Sequence, residues 1–118
     1  NPEVRAYADS VIDRLIKEYG VGYIKMDYNI EPGIGTDLHA DSAGDGMLSH
    51  ERAYLKWLEA VFKRYPDLVI ENCSSGGLRM DYAMLSRYSI QSTSDQDDYR
   101  YYCTIAANSP SALTAFST

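Results

Sequence analysis

The sequence predicts an α/β fold built on parallel strands, and three observations lead there. Segments whose apolar residues recur at helical spacing alternate with short strand-like runs, in the order helix, strand, helix, strand, helix, strand, helix. That order is the pattern of repeated βαβ units. Polar residues, namely Asp27, Asn72 and Asp95, close all three predicted strands at one edge, where ligands gather on parallel sheets.

Each element has its own local cause. Asn1-Pro2-Glu3 reads as a helix start, with a capping side chain, a proline at the first helical position and an acid in the first turn. Val4, Tyr7, Ala8, Val11, Ile12, Leu15 and Ile16 then mark one helical face until Gly20 stops it. Tyr23 to Asp27 follows as a strand, punctuated by Gly20 and Gly22 before it and by Glu31-Pro32-Gly33 after it. Residues 30–48 carry five glycines or prolines, and so form a loop long enough to suggest function. A second helix is expected from about Ser49 to Tyr65, and a second strand over Leu68 to Asn72. The glycine- and serine-rich loop Cys73 to Arg79 leads to a short helix over Met80 to Arg87 and a third strand over Tyr88 to Ser92. A last helix covers about Asp97 to Asn108, and Ser109-Pro110 interrupts it before an apolar tail.

Composition excludes several classes. With 118 residues the chain is the size of one small domain, and its apolar content is enough to bury a core. A net charge of −6 without any basic run speaks against nucleic acid as a partner. Cys73 and Cys103 stand far apart in isolated contexts, which argues against a disulfide framework or a zinc site and reads as two buried thiols. No apolar run approaches the roughly 20 residues of a membrane span, and no signal peptide precedes Asn1. The chain starts directly on a helix without an initiator methionine, as if excised from something longer. The missing signal therefore says little about compartment, which stays open, with a soluble protein expected and the cytoplasm slightly favoured.

Alternation along the first strand puts Tyr23, Lys25 and Asp27 on one face, with Ile24, Met26 and Tyr28 on the other. Opposite charges in register on a largely apolar strand are costly to bury without a partner or a ligand. The plain alternative is a strand end with a surface ion pair. Two carboxylates on nearby parallel strands can carry out glycoside hydrolysis, one attacking the anomeric carbon and the other protonating the leaving oxygen. Lys25 would keep Asp27 ionised, and the neighbouring Asp97 and Asp98 would favour a protonated Asp95.

Three motifs then carry a resemblance. Lys25-Met26-Asp27-Tyr28-Asn29, Cys73-Ser74-Ser75-Gly76-Gly77-Leu78-Arg79-Met80-Asp81 and Ser92-Thr93-Ser94-Asp95 resemble successive strand ends of melibiase-type α-galactosidases, glycoside hydrolase family 36. The resemblance implies a partial (β/α)8 TIM barrel in which residues 1–118 cover roughly the fourth to sixth strands of one catalytic domain. A full barrel takes roughly 250 residues, so the isolated piece is expected to be inactive and prone to aggregate. By the same resemblance Asp27 is the nucleophile and Asp95 the acid/base of a retaining double displacement that needs no metal or organic cofactor. Lys25, Asn29, Asn72, Cys73, Gly76, Gly77 and Arg79 would contact an α-galactoside substrate. A homo-oligomeric parent enzyme is a further expectation.

The sequence departs from that family where Met26 replaces tryptophan, where Ser75 and Leu78 replace glycine, and where Gln96-Asp97 replace Asn-Thr. Side chains at Ser75 and Leu78, in a loop that would approach the sugar, leave the exact substrate open, with an α-N-acetylgalactosaminide as the alternative to an α-galactoside. A carbohydrate-binding barrel remnant without catalysis is a rival reading. A phosphate-binding doubly wound sheet ranks below it, because the glycine-rich loop lacks both the P-loop lysine and the dinucleotide spacing. Several residues also carry simpler readings. Cys73 can be a core thiol, and Arg79 can pair with Asp81 or Asp95. The Asp95, Asp97, Asp98 cluster lacks the glycine and distal glutamate of a calcium loop. Asp37-Leu38-His39-Ala40-Asp41 has metal-like alternation but suits a solvated loop, His50 marks a helix start, and Asp67 sits in a turn.

Overall fold

The computed structural model describes residues 1–31, 33 and 36–113. Pro32 of the predicted break and the tail from residue 114 lie outside the described residues. The chain divides into two compact units, Asn1–Gly22 with Ile30–Leu68, and Tyr23–Asn29 with Val69–Thr118.

The first unit holds two helices. α1 (Pro2–Lys17) starts as expected, the Asn1 side chain accepting from the Glu3 N–H at 2.9 Å. It ends at Gly20, whose left-handed φ of +66° lets its N–H return to the Ile16 carbonyl at 3.1 Å. α2 (Asp45–Arg64) begins four residues before the predicted Ser49. Its cap is Gly44 at φ 85°, which has no side chain to signal a start, and its carbonyl accepts the Leu48 N–H at 3.0 Å. His50 therefore lies within the helix rather than at its start.

Two aspartates one turn apart on α1 tie the helices together. Asp9 Oδ1 accepts from Trp57 Nε1 at 2.9 Å and from the Arg64 guanidinium at 2.7 Å, while Asp13 Oδ1 accepts from the Tyr65 hydroxyl at 2.8 Å. Asp13 also pairs with Lys17 at 3.0 Å, and these partners, Lys17 first and Tyr65 next, hold its carboxyl below the ordinary carboxylate value. Ile12, Leu58, Val61 and Leu68 are the buried apolar residues of this unit among the described residues.

The second unit is a three-stranded sheet with two helices. β1 (Tyr23–Asp27), β2 (Val69–Cys73) and β3 (Ile90–Gln91) lie in the order β1-β2-β3, and both pairings are parallel. The α/β class with parallel strands is thus as predicted. β2 is displaced by one residue from the predicted Leu68–Asn72, so that Cys73 closes it in register with Asp27. β3 shrinks from five predicted residues to two, because Ser89 and Ser92 bond to Ile70 and Asn72 only at its margins. α3 keeps one turn, Tyr82–Leu85, capped by the Asp81 carboxylate accepting the Met84 N–H at 3.1 Å. α4 (Tyr99–Asn108) is capped by Asp98, two residues inside the expected start, and Ser109-Pro110 continues into a 3-10 turn. Ile70, Cys73, Met84 and Leu113 are the buried apolar residues here, joined by Asn72, Ser74 and Gln91.

Candidate functional site

Parallel register fixes which side chains share a face. Tyr23, Lys25 and Asp27 stand opposite Val69, Glu71 and Cys73, so a cation and a carboxylate pair in the middle of β1 and β2, with the Asp27 carboxylate at the end of β1 on the same face. β1 ends at Asp27, and the chain beyond it is stitched to the loop after β2. The Tyr28 N–H donates to the Cys73 carbonyl at 2.8 Å, and the Tyr28 carbonyl accepts from the Ser74 hydroxyl at 2.6 Å and from Arg79 Nε at 3.2 Å. The Arg79 guanidinium lies 3.8 Å from the centre of the Tyr28 ring, a close cation–π stack.

The loop then aims a backbone donor at the carboxylate. Ser75 and Gly76 adopt φ of 40° and 79°, and this left-handed turn directs the Ser75 N–H at Asp27 Oδ1 (3.3 Å) and Asn29 Oδ1 (2.7 Å). Partial removal from water raises the Asp27 pKa, but the Asn29 side chain, the Cys73 thiol, the Ser75 N–H and the Lys25 charge together lower it below its ordinary 3.8. Asp27 is therefore held as a carboxylate while staying exposed. That combination suits a nucleophile.

Asp95 arrives differently from the way the sequence suggests. It lies past β3, which ends at Gln91, in an extended segment that carries it alongside the same loop. Gly76 pairs with Ser94 in an isolated antiparallel bridge, and a Cβ on Gly76 would stand 2.4 Å from Ser94 Cα and 2.8 Å from Asp95 N. A Cβ on Gly77 would stand 2.7 Å from the Thr93 carbonyl oxygen. Both glycines thus let the backbone before Asp95 approach the loop that serves Asp27. Asp95 is exposed. Of the acids expected around it, Asp98 caps α4 and makes a two-point ion pair with Arg100, which lowers its pKa.

The remaining expected site residues separate by face. Asn72 is fully buried, its amide donating to the Arg79 carbonyl at 2.7 Å and to Gln91 Oε1 at 2.6 Å, on the face opposite Lys25. Cys73 is buried beside Asp27, but Cys103 is an exposed thiol on α4, contrary to the expectation of two buried ones. No cluster of three metal-ligating side chains occurs among the described residues. No described helix is long and apolar enough to cross a membrane.

One residue was missed from sequence. Glu71 stands in register with Lys25, 3.4 Å from its ammonium, and also accepts from the Tyr23 and Ser92 hydroxyls. The signal was a lone carboxylate inside an apolar strand. Glu71, Tyr23, Ser92, Ser94 and Tyr102 line a cavity of about 530 Å³ whose far wall includes Pro110 and Leu113.

Comparison with known proteins decides the family. The Melibiase family profile matches residues 1–111. The chain belongs to the melibiase family. Among its relatives, the alpha-galactosidase of Escherichia coli is 32% identical over 91 residues, covering 77% of this chain and 12% of that protein. Alpha-galactosidase Mel36A of Lactobacillus acidophilus is 32% identical over 78 residues, covering 62% of this chain and 11% of its own length. The probable alpha-galactosidase C of Aspergillus flavus is 29% identical over 123 residues, covering 97% of this chain and 15% of its own length. This melibiase chain therefore spans between about a ninth and a seventh of the length of these relatives.

Proposed function

We propose that this melibiase segment supplies the two catalytic carboxylates of a retaining α-galactosidase. Asp27 attacks the anomeric carbon of a terminal α-linked galactose while Asp95 protonates the departing oxygen, which gives a β-linked glycosyl-enzyme. Asp95 then takes a proton from water, the water attacks the same carbon, and the sugar leaves with its original configuration. No metal or organic cofactor enters either step. Lys25 and Asn29 hold sugar hydroxyls, and the loop from Cys73 to Arg79 forms a wall of the sugar pocket. The rest of a (β/α)8 barrel completes that pocket in the parent protein.

The observation that carries this reading is the state of Asp27, an exposed carboxylate kept ionised by four neighbours at the carboxyl end of a parallel strand. What supports catalysis over binding alone is the second carboxylate, Asp95, on the segment that Gly76 brings against the same loop. The test is hydrolysis of an aryl α-galactoside by the full-length protein that contains this chain, compared with its Asp27→Ala variant. Turnover lost in the variant supports the reading, and equal turnover in the two proteins would return the segment to carbohydrate binding alone.

A further inference from the structure

We infer that Glu71 is a positioning residue that fixes the Lys25 ammonium for substrate binding, an inference that rests on the glycosidase reading above. Three donors converge on its carboxylate: Lys25 Nζ at 3.4 Å, the Tyr23 hydroxyl and the Ser92 hydroxyl. They come from β1 and from the segment after β3, so Glu71 is anchored from both sides of β2. Its side chain is only 15% exposed, against 48% for that of Lys25. The carboxylate is thus the fixed member of the pair and the ammonium the reachable one.

A lysine ends in a compact charge on four flexible carbons, and its entropy must be lost before it can hold a sugar hydroxyl in one geometry. The ion pair with Glu71 restrains the Lys25 ammonium while its side chain stays 48% exposed. Parallel register sets the direction: Lys25 and Glu71 pair one step before Asp27 and Cys73, so Asp27 and the end of the sheet lie two residues further along the same face. Glu71 also balances the charge of Lys25, which is one of the influences that lower the Asp27 pKa. Removing the negative charge leaves that influence unopposed.

A double-mutant cycle on the full-length protein tests the inference. Glu71→Gln should raise KM for an aryl α-galactoside about ten-fold or more, with a smaller change in kcat, as expected for a charged hydrogen bond that orders a binding group. In a Lys25→Met background the same substitution should change kcat/KM by less than about three-fold, because the group it positions is gone. Tyr23→Phe, which removes one tether of Glu71 without a charge change, should show a weaker effect of the same kind and guards against a folding failure in Glu71→Gln. Full additivity with Lys25→Met, or an unchanged KM in both Glu71→Gln and Tyr23→Phe, would overturn the inference. An inactive Asp27→Asn variant beside an unaffected Glu71→Gln would sink this role alone, whereas an active Asp27→Asn would sink the glycosidase reading itself.

Discussion

Gly76 lies so close to Ser94 that no side chain fits between them: an added Cβ would stand 2.4 Å from Ser94 Cα. Because Ser75, its neighbour, donates its N–H to Asp27, this one contact links the segment carrying Asp95 to the loop serving Asp27. Gly76→Ala must strain a φ of 79° and push the Ser94 backbone away. The expected stability loss is about 1–3 kcal/mol, read as a shift in a denaturant midpoint. Displacing Asp95 by about an ångström should also lower kcat/KM about a hundred-fold. A variant with wild-type stability and activity would show that the contact does not position the pair.

If Asp27 is the nucleophile, it sets an acid limit on activity. Its native pKa is below 3.8, so its favourable interactions are fully present above about pH 3.8 and are lost as pH falls through the lower native value. The acid limb of kcat/KM should accordingly lie below 3.8. An acid limb well above that value would assign it to another group.

Asp95→Asn should harm substrates with poor leaving groups most, because those need the proton in the first step. Rates for a series of aryl α-galactosides plotted against leaving-group pKa should steepen in the variant. An unchanged slope would remove Asp95 from the acid role.

Asp9 binds both Trp57 and Arg64 from α2. Asp9→Ala should cost about 1–3 kcal/mol in stability by leaving the half-buried indole N–H unpaired. Asp9→Asn keeps an acceptor and should cost less. Thermal melts of the two variants measure the difference, and equal losses would contradict the role given to the bond with Trp57.

The class of the fold was legible because periodicity and capping are local: Asn1, Pro2 and Gly20 mark α1, and Tyr23–Asp27 forms as read. The start of α2 was hidden because Gly44 caps by backbone shape alone. β3 and the placing of Asp95 were read poorly because they depend on Gly76 and Gly77 packing against Thr93 and Ser94, a contact between distant residues. The place of Asp27 at the end of β1, on one face with Lys25, was legible from strand alternation. The pairing of Glu71 with Lys25 was not, since it depends on the register between β1 and β2, which no single stretch contains.

The most direct measurement is to trap the glycosyl-enzyme. Full-length protein treated with a 2-fluoro-α-galactosyl donor bearing a good leaving group, then digested and weighed by mass spectrometry, should carry one fluorogalactosyl group on Asp27. A label on any other carboxylate, or steady turnover of natural substrate with no label, would contradict the assignment of Asp27 as nucleophile.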